Sequence, residues 1–209
     1  IMQLAAQGKI DIDKPVTHYI PWFKTYDQAM SGLITTRHLL NHTSGFAYKD
    51  GNADLTLLDN SATANENVVR KLDTVKLKFK PGENYEYSNL NYQTLAYLLE
   101  SIEGKTYESI IDNMIFARLG MNNSFAAKPR SDQVEVAEGF HWFFGKMEQS
   151  KVEQGRATIA QGRLNVSAED MLIYLDQFTF ANSQFISQAT KKPFIRGRTS
   201  SCFSFHLIH

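Results

Sequence analysis

The stretch from Lys80 to Gly104 constrains this chain more than any other. Pro81-Gly82 marks a reversal, because proline fixes φ and glycine accepts a positive one. Asn84 to Tyr87 reads as a short extended run. Ser88 or Asn89 then caps a helix that reaches about Ile102. Leu95, Leu98, Leu99 and Ile102 share one face at helical spacing, and Gly104 suits the residue just past the end. The triplet Tyr87-Ser88-Asn89 therefore stands where an extended segment becomes a helix. A scaffold can fix side chains at such a point while they face a cleft.

The rest of the chain reads as mostly helical. Ile1 to Gln7 looks like the last turns of a helix stopped by Gly8, and the expectation is a fragment cut inside that helix. Lys9 to Val16 alternates but contains Pro15, so it reads as an extended loop or edge segment. Thr35 or Thr36 caps a short helix to His42, which Thr43-Ser44-Gly45 ends. Residues 47–62 read as loop with one helical turn, and Asn65 to Leu72 as a helix. Val75 to Phe79 alternates Val75, Leu77 and Phe79 against lysines, which suits a short half-buried strand or an extended arm. Thr106 begins a second strong helix to Leu119, with Ile110, Ile111, Met114, Ile115 and Leu119 as its stripe and Gly120 as its stop. Residues 120–160 read as irregular. Ser167 to Asp170 resembles a capping box, opening a helix that buries Met171, Leu172, Leu175 and Phe178. Residues 1–188 are read as one partial domain, and 189–209 as an atypical tail open to disorder.

Composition narrows the class. The 209 residues carry 22 basic and 22 acidic side chains, a balance that argues against nucleic acid as a partner. Hydrophobic content of 43% supports a real core. The single cysteine, Cys202, excludes an intrachain disulfide and a cysteine metal site. No apolar run approaches the roughly 18 residues of a spanning helix.

Several residues invite chemistry. Ser44 near His38 and His42 suggests a nucleophile, but no Gly-x-Ser-x-Gly elbow surrounds it, and a structural turn is the better reading. His38 and His42 are four apart, yet no third metal ligand suggests itself, so no metal or other cofactor is expected. His141 beside Trp142 and Phe144 either lines a pocket or packs, with packing favoured. Glu83, Glu86 and Glu100 read as solvated surface charge. Tyr87 and Asn89 stand apart. A tyrosine can relay protons if nearby cations lower its pKa, and an amide two residues on can hold a lysine and a carbonyl together.

Gln3 to Val16, Tyr19 to Pro21, Thr36 to Gly45, Pro81-Gly82, Tyr87 to Tyr92, Leu98 to Glu100, Gly104, Leu119 to Met121 and Ser167 to Met171 occur in one order. In that order they resemble the serine β-lactamase-related hydrolases. This group contains class C β-lactamases, D-alanyl-D-alanine peptidases, esterases and penicillin-binding-protein-like enzymes. The resemblance implies an α+β, β-lactamase/transpeptidase-like fold, of which this chain holds mostly the helical region, with most of the antiparallel sheet missing. It implies acyl transfer through a serine ester, using Ser-x-x-Lys, Tyr-x-Asn and a Lys-Thr-Gly or His-x-Gly strand. Tyr87 and Asn89 match the second element. Tyr87 would relay the proton, Asn89 would orient the lysine and the substrate carbonyl, and Ser88 has no catalytic role.

The chain departs from this pattern. It contains no Ser-x-x-Lys at a suitable helix start, and no Lys-Thr-Gly or His-x-Gly. Arg163 stands where the family often has a Gly-Gly-Leu turn. The chain alone is therefore expected to be inactive, and its sheet-facing surface to be exposed and apolar, a solubility liability. The implied partner is a small-molecule or peptide acyl substrate: a β-lactam, a D-Ala peptide or an ester. Loops 46–62 and 122–160 would set specificity. The resemblance suggests the bacterial cell envelope or beyond, with any membrane attachment through an N-terminal segment outside this chain. The alternatives are a non-catalytic homologue that binds cell-wall peptide or a partner protein, and an unrelated helical domain with chance motifs.

Overall fold

The computed structural model describes residues 1–52, 59–126, 136–149 and 155–179. Its helices are α1 (Met2–Ala6), α2 (Gln28–Ser31), α3 (Thr36–Leu40), α4 (Tyr48–Asn52), α5 (Ala64–Lys71), α6 (Asn89–Glu103), α7 (Tyr107–Ile111), α8 (Ala117–Leu119) and α9 (Ala168–Thr179). One antiparallel hairpin, β1 (Phe140–Phe143) and β2 (Lys146–Gln149), is the only sheet among the described residues. A 3₁₀ helix, Arg156–Gln161, precedes α9.

The helix expected from the central stretch is α6, and α3, α4, α5, α7 and the 3₁₀ helix pack against it. Gly104 ends it in the left-handed region at φ +64°, its N–H bonded to Glu100 O. A single stripe was expected, yet α6 is buried nearly all round. Asn91, Gln93 and Thr94 are buried along with Leu90, Leu95, Ala96, Leu98 and Leu99. Leu95 and Leu98 join Ile20, Leu39, Phe46, Val69 and Leu72 in one core. Ala96 and Leu99 face the other way, into a core with Leu4, Ile10, Ile110, Phe116 and Met121. Each fully buried leucine contributes about 1.5–3 kcal/mol, so α6 is held by two hydrophobic cores rather than one.

The expected Thr106–Leu119 helix forms in three pieces. Thr106 caps α7 by accepting Ser109 N–H at 3.2 Å, and Gly120 ends α8 at φ +71°. Between them lies a π turn, Asp112–Phe116. The added residue per turn rotates the following positions, so Phe116 is buried while Met114 and Ile115 of the expected stripe are half-buried.

One expectation is met in its second form, and two fail for physical reasons. Val75 to Phe79 alternates in burial as read and joins no sheet among the described residues. It is an extended arm held by Tyr26 N–H to Val75 O and Lys78 N–H to Gly45 O. The aromatic run at 140–144, expected to pack, sits on the hairpin with Trp142 70% and Phe144 91% exposed. Ser167 does cap α9 by accepting Asp170 N–H, but Leu172 (66% exposed) and Leu175 lie open. No described element covers that face. The expected tail 189–209 lies outside the described residues, as do 53–58, 127–135 and 150–154 of the two loops expected to set specificity.

Candidate active site

Tyr87 and Asn89 meet at the first turn of α6, where the Tyr87 hydroxyl donates to Asn89 Oδ1 at 2.8 Å. Both side chains are half-buried. Between them Ser88 occupies the N-cap position, but its side chain makes no cap bond. Its hydroxyl donates instead to Ala47 O at 3.0 Å, so the expected cap is a tie to the segment leading into α4. That helix packs closely: a Cβ on Gly51 would stand 2.7 Å from Asn89 N and 2.9 Å from Ser88 Oγ. Glu86 secures the same corner, accepting Tyr48 N–H at 2.8 Å and pairing with Lys78. It is not the free surface charge expected of it. Lys78 first, then the Tyr48 N–H, holds its carboxyl below the usual range.

The turn after α3 forms the floor. The helix stops at Leu40, earlier than expected, and His42 takes φ +56°. Three backbone bonds then join this turn to the arm and the Pro81-Gly82 reversal: Glu86 N–H to His42 O, Gly82 N–H to Thr43 O and Lys78 N–H to Gly45 O. Ser44 is fully buried and donates to Asn91 Oδ1 at 2.5 Å. A hydroxyl so placed is structural, in keeping with the turn reading and against the nucleophile. His38 points elsewhere: its Nδ1 accepts Thr35 N–H in a capping box. The two histidines therefore do separate work. Among the described residues, no group of three or more His, Cys, Asp or Glu could hold a metal ion.

His42 is the residue that sequence reasoning placed wrongly. Its Nδ1 accepts Ser88 N–H at 3.3 Å, and Asn91 Nδ2 lies 2.9 Å away. A backbone N–H can only donate, so Nδ1 is the acceptor and the neutral ring carries its proton on Nε2. The ring stacks 5.2 Å from Tyr92 and meets the tilted ring of Tyr87 at 4.6 Å between centroids. Burial pushes its pKa down to about 4. The sign follows. The unfolded histidine binds a proton near 6.5 and the folded one near 4. Its neutral form costs nothing above pH 6.5, and stability falls as pH drops from there through 4, by about 2 kcal/mol. Urea midpoints at pH 7 and pH 4.5 check this. His42→Asn keeps an acceptor and tolerates the positive φ, and its midpoint should lose that part of the pH slope. An unchanged slope contradicts the assignment.

Tyr87 departs from the expectation of a lowered pKa. Burial, and then the neighbouring Tyr48 and Tyr85, push it above 10. The corner holds a hydrogen-bond geometry suited to proton relay. Asn91 was missed altogether. One signal could have found it: it stands three residues after Ser88, where a capping box puts its returning side chain.

The family model described as Beta-lactamase matches residues 1–201. PbpX of Bacillus subtilis (strain 168), named for the penicillin-binding proteins, is 28% identical over 207 residues, covering 96% of this chain and 48% of PbpX. The chain thus spans about half the length of that relative. A D-stereospecific amidohydrolase from Streptomyces sp. matches with TM-score 0.72 at 21% identity, over 91% of this chain and 59% of that one. FmtA from Staphylococcus aureus matches with TM-score 0.73 at 23% identity, over 91% and 49%.

Proposed function

The chain belongs to the serine β-lactamase-related family, and from that premise we propose that it is the helical part of a serine hydrolase that transfers or hydrolyses acyl groups at amide or ester bonds. The observation that carries the reading is the Tyr87–Asn89 bond at the start of α6, inside an ordered motif set that runs through the family match. In this role Tyr87 moves the proton between the serine nucleophile and the leaving group, and Asn89 orients the substrate carbonyl. The likeness to an amidohydrolase supports small acyl substrates such as a β-lactam, a D-Ala peptide or an ester. The cell envelope is the compartment that fits such a substrate.

No Ser-x-x-Lys opens a helix in these 209 residues, so the chain alone is inactive on this reading. Fluorescent penicillin or a fluorophosphonate probe should leave it unlabelled, and stoichiometric labelling overturns the assignment. In a longer protein carrying Ser-x-x-Lys ahead of Ile1, labelling is expected. There Tyr87→Phe should slow acylation by about 10²–10⁴-fold, the usual contribution of a general acid–base group. An unchanged rate removes Tyr87 from the mechanism.

A second reading is a non-catalytic homologue that binds a cell-wall peptide or a partner protein. A longer protein that resists labelling while holding such a peptide would select it.

A further inference from the structure

We propose that Asn91 is a positioning residue for the Tyr87–Asn89 pair and acts through His42; the inference rests on the role given to that pair above. Asn91 is fully buried at the first turn of α6. Its amide has two arms. Oδ1 accepts the Ser44 hydroxyl at 2.5 Å, tying the turn after α3 to the helix. Nδ2 donates to Ser88 O at 3.1 Å and to His42 Nδ1 at 2.9 Å.

The second arm governs the site. With Ser88 N–H and Asn91 Nδ2 both directed at Nδ1, the imidazole can neither rotate nor move its proton from Nε2 without leaving a buried donor unpaired, which costs about 1–3 kcal/mol. That fixed ring is the surface on which Tyr87 rests, 4.6 Å between centroids. Tyr87 in turn donates to Asn89. The Tyr87 hydroxyl is bonded to Asn89 and not to Asn91, so the influence of Asn91 passes through the imidazole and the Ser88 peptide.

The two arms let a positioning role be separated from a merely structural one. The 209-residue chain is labelled with ¹⁵N-histidine and ¹³Cζ-tyrosine and followed by NMR at pH 7. In the unaltered chain His42 should show an unprotonated Nδ1 and a protonated Nε2; the opposite tautomer overturns the proposal before any variant is made. Asn91→Asp keeps the shape and removes both donors. Its carboxylate should draw a proton to Nδ1, giving the imidazolium pattern and moving the Tyr87 Cζ resonance, assigned with Tyr87→Phe. Ser44→Ala cuts the first arm. It should lower the melting temperature and leave the His42 nitrogens and Tyr87 Cζ where they were. A Tyr87 signal unmoved by Asn91→Asp, or moved equally by Ser44→Ala, sinks the proposal. None of these signals requires turnover. Failed covalent labelling of a longer protein therefore counts against the proposed function alone, and an unmoved Tyr87 counts against the positioning role alone.

Discussion

Gly45→Ala is expected to cost at least about 3 kcal/mol of stability, among the largest losses from any single methyl group in this chain. Two penalties coincide. Gly45 sits at φ +95°, which side chains with a Cβ rarely adopt, and a Cβ there would stand 2.4 Å from Phe79 O and 3.2 Å from Leu77 Cβ. The arm cannot retreat freely, because Lys78 N–H is bonded to Gly45 O at 2.8 Å. Moving the arm would pull on Glu86, whose N–H holds His42 O, and so on the floor beneath Tyr87. Gly104→Ala is the control. Its φ is +64° but nothing lies within 4 Å of its would-be Cβ, so only the backbone cost of about 1 kcal/mol applies. Urea melts of the two variants separate the effects. Equal losses would mean that the close approach of the arm to Gly45 is wrong.

Arg156→Ala is the second large loss, about 3 kcal/mol at pH 7. Sequence reading assigned Arg156 nothing, yet its guanidinium uses every donor. Nε and one terminal nitrogen hold Glu108, that terminal nitrogen also reaches Glu100 at 3.1 Å, and the other holds Ser61 O and Ala62 O. It thus ties the 3₁₀ helix to α6, α7 and the segment before α5. Its side chain is only 14% exposed, and those of Glu100 and Glu108 are 13% and 20%. Removing it leaves two carboxylates together with little solvent. Glu100 already has a raised pKa, chiefly through burial, against the opposing pull of the Tyr107 N–H and Arg156. An acid whose folded pKa is raised binds its proton more readily when folded, so its cost is present at high pH and relieved as pH falls through that pKa. The Arg156→Ala loss should therefore shrink between pH 7 and pH 5. A loss that is constant over that range would mean the carboxylates are already free of strain.

Glu100 shows why some of this was hidden. On a helix pattern it is one polar position among apolar ones, and a solvated face is the better reading. Its partner lies 56 positions away on a segment without a periodic signal. The aromatic run at 140–144 and the face of α9 failed in the opposite direction. Apolar residues at regular spacing announce a face that needs covering, but they do not supply the cover. In the described chain Trp142, Phe144 and Leu172 remain open to solvent.

The extent of α6 and its stop at Gly104 were legible because helical spacing and a left-handed glycine are local properties. So was the position of Tyr87 and Asn89 at the start of that helix, although the bond between them was not. Tertiary structure alone decided what lies beneath them. His42 and Ser44 reach Asn91 across 49 and 47 positions, and no local pattern encodes which distant turn will arrive there. It also decided the protonation of that floor. Whether an imidazole is neutral, and on which nitrogen its proton sits, depends on burial and on the donors around it. The sequence determined where the Tyr87–Asn89 corner stands; the packing of the turn after α3 against the first turn of α6 decided how it is held.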